Sequence, residues 1–341
     1  MPAVNKGTIL VTGASGFIGT HVVRVLLEHD LNVRAVARTA EKTEHIRKMF
    51  PAAGDHLSFA LVPDMSADGA YHEAVKGVDG VVHLASPVTF SYVGEPSGII
   101  GPAVAGVTAI LDSIAKFGPT VKRIVQVSSI AATSLGLSPV TITEADWNDD
   151  AVNICEAKGA KTDSFVQYSA SKAHAERAFW QFFENPHTFD GATILPGLTL
   201  GPYTQYTADG RVGGTASLVV PYLKKGVPES SLSETFFNLV DVRDVADACV
   251  AALETPAAGG ERFIVAGDKL VNNDYALAAE GFPKAVANGA TKGNHDAKFQ
   301  SDIEATVPNF DGSKAQKVLG IKYRSKAETI HDTIASVIDR I

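Results

Sequence analysis

The sequence predicts an α/β protein, a doubly wound parallel sheet carrying a smaller cap built from separate stretches of chain. Three observations carry this expectation. Short apolar runs alternate with helical patterns through the first half of the chain. A glycine-rich turn joins the first of these runs to the first helix. Past Pro196 the alternation stops, and Gly, Pro, Tyr and Thr crowd a long irregular connection over residues 195–214.

Thr8-Ile-Leu-Val-Thr12 is nearly continuous in apolar residues, as a strand buried on both faces requires. Residues 17–28 place Ile18, Val22, Val25 and Leu26 on one helical side. Further strands are expected at residues 32–37, 57–62, 80–85, 121–127 and 192–195, with helical patterns between most of them. A helix is expected over 170–183. Strand–helix–strand order favours parallel pairing, because a parallel crossover needs a helix-length connection. The uncharged stretches after Glu95 and after Asp190 are broken by Gly, Pro and Thr, so neither is expected to be a spanning helix. A strand at 235–240 and a helix at 241–253 are expected to return to the sheet. The large domain is thus expected over 1–195 with 235–262, and the cap over 196–234 and 263–341, including a helix at 325–340.

Of the 341 residues, 45% are hydrophobic and 20% charged, which excludes wholesale disorder. Thirty Lys and Arg against 38 Asp and Glu leave a net charge of −8. No nucleic-acid or membrane partner is expected of a chain that repels phosphate as a whole. Any phosphate it binds needs a local, purpose-built site. Cys155 and Cys249 are too few for a disulfide framework or a four-ligand zinc site, and no metal is expected. Residues 1–7 lack a basic region followed by an apolar run, so no signal peptide and a cytoplasmic location are expected.

Thr12-Gly-Ala-Ser-Gly-Phe-Ile-Gly19 has the spacing of a dinucleotide turn. Gly13 lets the chain turn tightly, Gly16 lets backbone approach a pyrophosphate, and Gly19 lets the helix pack on the sheet. Ser15, Phe17 and Ile18 lie where the helix start offers free N–H groups and partial positive charge. The alternative, a plain tight turn, does not account for the strand before it and the helix after it. The large domain is therefore expected to be of Rossmann type. Enzymes using NAD usually carry an acid about 20 residues further on. Here Val33-Arg-Ala-Val-Ala-Arg38-Thr-Ala-Glu-Lys42 puts Arg38 in that place, with Lys42 one helical turn beyond. A guanidinium can hold a 2′-phosphate with two charge-assisted bonds, so NADPH is the expected cofactor. The competing reading is a pair of ordinary surface bases.

Tyr168-Ser-Ala-Ser-Lys172 sets a phenol and an ammonium on one helix face. In a chain with 8 tyrosines that pair alone says little. Its context is Val125-Gln-Val-Ser128-Ser129, at the carboxyl end of a strand, the edge where ligands bind in open α/β sheets.

With the glycine turn and the paired serines, the chain resembles the extended short-chain dehydrogenase/reductases. Within them it is similar to the branch of dihydroflavonol and cinnamoyl-CoA reductases and fungal aldehyde/ketone (methylglyoxal-type) reductases. Asp64-Met65, His83-Leu-Ala-Ser-Pro87, Asn238-Leu-Val-Asp-Val-Arg-Asp-Val-Ala246 and Asp311-Gly-Ser-Lys-Ala extend the likeness over nearly the whole chain. The resemblance implies NADPH-dependent reduction of an aldehyde or ketone to an alcohol. It implies Tyr168 as the general acid, Ser129 as a hydrogen bond to the carbonyl oxygen, and Lys172 on the nicotinamide ribose. Ser129 is preferred over Ser128 because the family's active serine is usually the second of such a pair. Asp64 and Met65 would lie at the adenine, Ala85 beside the cofactor, Pro196, Gly197 and Leu198 near the nicotinamide, and Ser217 at a distal phosphate.

A free phenol titrates near ~10. An ammonium ~4 Å away, at an effective dielectric of ~20, contributes roughly 4 kcal/mol, so Lys172 is expected to lower the phenol by about three units. Phe90, Tyr92, Ile130, Thr133, Leu198 and Tyr203 follow strand ends and are expected to face a fairly bulky apolar carbonyl substrate. The rival enzymes are a nucleotide-sugar epimerase or dehydratase, which keeps NAD bound, and a 3-hydroxysteroid-type dehydrogenase. A non-catalytic NADP sensor is the alternative from another class. Arg38 and Lys42 speak against the epimerase, and the Tyr–Lys pair against the sensor. Oligomeric state is not legible.

Overall fold

The expected strands form. The structure is a computed structural model that describes residues 3–86, 92–136, 138–207 and 209–341. The strands are β1 (Thr8–Thr12), β2 (Asn32–Ala37), β3 (Leu57–Leu61), β4 (Gly80–His83), β5 (Arg123–Val127), β6 (Thr141–Ile142), β7 (Asp190–Pro196), β8 (Leu198–Leu200), β9 (Thr235–Asp241), β10 (Arg262–Val265), β11 (Lys269–Val271) and β12 (Asn309–Phe310). The helices are α1 (Phe17–Glu28), α2 (Ala40–Met49), α3 (Ser97–Phe117), α4 (Asp149–Lys158), α5 (Ser164–Phe182), α6 (Val242–Glu254), α7 (Asn272–Ala279), α8 (Pro283–Ala287), α9 (Ala297–Glu304), α10 (Ser313–Leu319) and α11 (Lys326–Val337).

Seven strands make one parallel sheet in the order β10-β7-β5-β4-β1-β2-β3. Strand alternation divides its side chains between two cores. Ile9 and Val11 join Val22, Val23 and Leu26 of α1 and Val245, Ala248 and Cys249 of α6. Leu10 points the other way, to Val107, Ile110 and Leu111 of α3 and Phe179 of α5. The strand order reverses between β1 and β4, so the crevice beyond their carboxyl ends is the ligand-binding position of a Rossmann-type sheet.

The place of one strand is corrected. The strand expected at 235–240 forms as β9, but it lies between β8 and β11 in a separate three-stranded sheet. The strand that returns beside β7 is β10, whose four residues are all buried. Gly197 explains the departure of the chain, since a Cβ there would lie 2.4 Å from the Asn238 carbonyl oxygen. The smaller sheet can therefore approach only at a glycine. Ala315 and Leu319 of α10 also pack into the α1–α6 core, so part of the expected cap belongs with the large sheet.

The stretch after Glu95 is one continuous 21-residue helix, α3, with Pro102 inside it. By length and composition alone this helix could cross a membrane. Here Ala103, Val107, Ile110, Leu111 and Ile114 instead share a buried core with Ala175 and Phe179 of α5. Helix α5 itself starts at Ser164 rather than near residue 170, because Asp163 accepts a hydrogen bond from the Phe165 N–H at 2.8 Å. Tyr168 consequently sits inside a formed helix.

Candidate active site

The crevice begins at the glycine turn. Gly13 has φ +66°, a left-handed conformation that suits glycine, and a Cβ there would lie 3.1 Å from the Ala85 nitrogen. A Cβ on Gly19 would lie 2.2 Å from the Gly13 carbonyl oxygen, so helix and turn can pack this closely only at a glycine. Gly16 caps α1 with no side-chain hydrogen bond, and the first turn, at Phe17 and Ile18, has no acid. Its backbone N–H groups and positive dipole end therefore remain available for an anion. Ser15 lines the turn with its side chain largely buried. These features fit a pyrophosphate.

Thr12 braces the turn from β1. Its hydroxyl accepts from the Leu84 and Ala85 N–H groups, each at 3.1 Å, and bonds His83 Nδ1 at 2.9 Å. With both acceptor positions used, the hydroxyl donates its one proton to Nδ1, which leaves His83 protonated at Nε2. Burial, then the Lys172 charge, push the imidazole down to about 3, so it is neutral.

Arg38 and Lys42 come together at the end of β2 and the start of α2. Arg38 is exposed and makes no ion pair among the described residues. Lys42 titrates below its ordinary value, through burial first and the Arg38 guanidinium second. Two crowded like charges make a site that a dianionic phosphate would relieve. A strap from β8 crosses this end of the crevice. The Thr20 and Thr204 hydroxyls lie 2.6 Å apart, His21 Nε2 meets the Pro202 carbonyl at 2.9 Å, and the Tyr206 hydroxyl donates to Glu41. The strap was not legible in the sequence, because its contacts come from single side chains with no period.

The other residues expected around a cofactor fall into place unevenly. Asp64 is exposed and accepts from the Ser66 N–H at 2.9 Å. Met65 packs on α3, where a Cβ on Gly106 would lie 2.5 Å from its Cε. Pro196 ends β7, Gly197 donates its N–H to the Val265 carbonyl at 3.0 Å, and Leu198 packs half-buried against the cap core. Ser217 donates its hydroxyl proton to the Gly214 carbonyl at 2.7 Å.

The catalytic candidates converge beyond β5. Ser129 hydrogen-bonds the Tyr168 phenol. Lys172 Nζ lies 5.6 Å from the Tyr168 ring centroid and donates to Ser86 Oγ at 3.0 Å. Ser128 points to the opposite face and donates to Glu176 Oε2 at 2.6 Å. Ser86 and Glu176 are contacts that sequence reasoning missed, although both stand in segments already singled out.

The electrostatic expectation for Tyr168 is corrected. Burial pushes the phenol up to about 12, and only the Ser129 hydrogen bond pulls it back. Burial also brings Lys172 down to about 8, against the raising charge of Glu176. Desolvation wins over attraction here because both groups are buried and the ammonium is directed at Ser86. The phenol is therefore a protonated acid across the neutral range, as donation to a nascent alkoxide requires.

Three residues expected to face substrate are buried against protein groups instead. Ile130 is core, packed with Ile142, Leu195, Ile264 and Phe310. Thr133 is buried and donates to the Ile130 carbonyl at 2.7 Å. Tyr203 is buried against Phe17, at 5.9 Å between centroids, and its hydroxyl accepts from the Gly213 N–H at 3.0 Å. In each case a backbone group or a core contact claims the side chain. Tyr92 is half-buried and its hydroxyl donates to the Glu95 carbonyl at 3.1 Å. Phe90 and Pro87 lie outside the described residues.

Ser129→Ala is expected to lower turnover by ~10²-fold, the usual loss when one hydrogen bond to a developing oxyanion is removed. Ser128→Ala is expected to act mainly on stability, by about 1–3 kcal/mol, because it leaves a buried acceptor short of a partner. Steady-state kinetics and thermal melting of both variants check this, and equal turnover losses would reverse the assignment.

Comparison with known proteins agrees in kind. The profile of the NAD dependent epimerase/dehydratase family matches residues 9–267. A ketoreductase of Aspergillus niger is 32% identical over 97% of this chain and 98% of its own length. The NADPH-dependent methylglyoxal reductase of Saccharomyces cerevisiae is 30% identical, over 97% of this chain and 98% of its own. The crystal structure of Gre2 from Candida albicans in complex with NADPH superposes with a TM-score of 0.86 at 26% identity, covering 97% of this chain and 98% of that one.

Proposed function

The chain belongs to the NAD dependent epimerase/dehydratase family, and from that premise we propose that it is an NADPH-dependent carbonyl reductase, converting an aldehyde or ketone into an alcohol. One observation carries the reading: a buried, protonated Tyr168, hydrogen-bonded by Ser129, stands at the carboxyl edge of the sheet with Lys172 one turn beyond it. The names of the ketoreductase and methylglyoxal reductase relatives support the same reaction class.

NADPH, when bound, supplies the hydride. Gly13, Gly16 and Gly19 would hold its pyrophosphate, Arg38 and Lys42 its 2′-phosphate, and Lys172 its nicotinamide ribose. Ser129 would hydrogen-bond the carbonyl oxygen and so stabilise the negative charge that develops there. Tyr168 would donate its phenolic proton to that oxygen. Burial excludes water from the phenol and keeps the proton on it until the stronger base, an alkoxide, forms. Ser86 orients the Lys172 ammonium.

The test is NADPH oxidation, followed at the nicotinamide band, with a panel of aldehydes and ketones. No turnover with any of them sinks the reading, and tight NADPH binding without turnover would favour the sensor. A tightly retained NAD, released only on denaturation, would favour the epimerase. A cytoplasmic location is part of the proposal and is supported by two free, buried cysteines. Fractionation and localisation of a tagged chain would test it.

The titration of Lys172 sets an expected pH dependence. Its ordinary value of 10.5 is brought down to about 8, so the ammonium is present below pH 8 and lost above it. If the charge is needed at the ribose, kcat/KM falls as pH rises through about 8. A flat profile to pH 10 would separate Lys172 from the chemistry.

A further inference from the structure

Glu176 has no part in the mechanism above, yet it is wholly buried one turn beyond Lys172. Tyr168, Lys172 and Glu176 follow at i, i+4 and i+8, on one face of α5. A carboxylate in such a place is expensive unless its oxygens are fully met. They are. Oε2 accepts from Ser128 Oγ at 2.6 Å, and Oε1 accepts from Thr193 Oγ1 at 3.0 Å and Arg262 Nε at 2.8 Å. These donors come from the ends or bodies of β5, β7 and β10, so Glu176 is fixed against three strands of the sheet. Arg262 is itself held by the Asp146 carbonyl at 2.9 Å and lies 3.8 Å over the Trp147 ring.

We propose that Glu176 is a positioning residue for carbonyl reduction, a fixed buried charge that keeps the Lys172 side chain an ammonium at its place beside Tyr168. The proposal rests on the reductase reading. Lys172 is otherwise in a position hostile to a cation. Among the described residues, the groups that face it are Tyr168 and Glu176 from its own helix, neutral His83 at the end of β4, and Ser86 just beyond. Among these only Glu176 carries negative charge. Its influence on Lys172 is to raise the titration point against burial. Arg262 offsets part of that field, but it reaches Glu176 from β10, on the side away from the Tyr–Lys pair in sequence and sheet order. The three hydrogen bonds stop the carboxylate from swinging to Lys172 and forming a closed pair, which would take the ammonium out of use.

The experiment is the pH profile of kcat/KM for Glu176→Gln, beside Glu176→Asp and wild type, with thermal melting to show that each is folded. Removing a unit charge at about the spacing of i and i+4 side chains should lower the Lys172 titration by about one to two units. The alkaline limb of the Gln variant is therefore expected to move to lower pH by that amount, with activity near wild type at the acid end. The Asp variant keeps the charge and is expected to keep the limb close to its wild-type position. A Gln substitution leaves Arg262 buried without its partner, which can prevent folding. The paired variant, Glu176→Gln with Arg262→Gln, removes both charges and is expected to move the limb in the same direction, by less. A limb that stays in place or moves upward in a folded Gln variant overturns the proposal. If wild type itself oxidises no NADPH with any carbonyl, the reductase reading fails instead.

Discussion

Tyr168→Phe is expected to lower kcat for carbonyl reduction by ~10²–10⁴-fold, the range that a positioned general acid contributes. The substitution keeps the buried ring and removes only the hydroxyl, so thermal stability and NADPH affinity should change little. The phenol is the group that Ser129 hydrogen-bonds, and burial holds its proton in place up to about pH 12. Without it, the nascent alkoxide has Ser129 as a hydrogen-bond donor but no acid from which to take a proton. Steady-state kinetics and a fluorescence titration with NADPH decide the matter. Retention of more than roughly a tenth of wild-type turnover would assign the proton to another group.

Arg38 should give the second large effect, on the choice of cofactor. Hydrogen bonds to charged groups are worth about 1.5–3 kcal/mol, so Arg38→Ala is expected to cost one to two decades in NADPH affinity. NADH lacks the 2′-phosphate and should lose little. Arg38→Asp should go further, repelling the phosphate and accepting from the free ribose hydroxyl. The structure sharpens this expectation, because Lys42 is already lowered by burial and by Arg38. Lys42 remains in both variants, so part of the positive charge at the site survives the loss of Arg38. The measurement is kcat/KM with each cofactor. An Ala variant whose preference for NADPH is unchanged would show that the phosphate is held elsewhere.

The sheet was legible in the sequence wherever a strand is buried on both faces and bounded by glycine or a turn. β1, α1 and β2 have their expected bounds, because a glycine or polar break stands at each end. β10 carries the same kind of signal, Arg262-Phe-Ile-Val265 between Gly260 and Gly267, but residues 235–240 are the more strand-like stretch. Those residues do form a strand, and sequence alone does not say which of two sheets a strand joins. The continuous α3 was hidden by Gly98, Gly101, Pro102 and Gly106, which are weak helix formers. Gly106 lies against the flexible Met65 side chain.

The site divides in the same way. The glycine turn and the Tyr–Lys spacing are local, and the structure brings Ser129, Tyr168 and Lys172 together. Ile130, Thr133 and Tyr203 were expected to face substrate because they follow strand ends, yet their side chains turn into the core or onto backbone groups. Position along the chain places a residue near a sheet edge but not its side chain. The Tyr168 phenol titrates higher than expected for a related reason. Attraction between two groups four residues apart can be read from sequence, whereas their shared desolvation depends on everything packed around them.

The place of β10 has a consequence for how the chain is made. β10 pairs with β7, and its Arg262 hydrogen-bonds buried Glu176. During synthesis the Tyr–Lys helix, α5, is complete well before residue 262 emerges. Until then, packing α5 on the sheet would bury Glu176 against Ser128 and Thr193 without the guanidinium that hydrogen-bonds its Oε1, an unfavourable step. The catalytic helix should therefore dock late on the ribosome, once β10 has been translated. A nascent chain stalled before Arg262 should keep α5 open to protease, and one stalled far enough beyond Val265 for β10 to clear the exit tunnel should protect it.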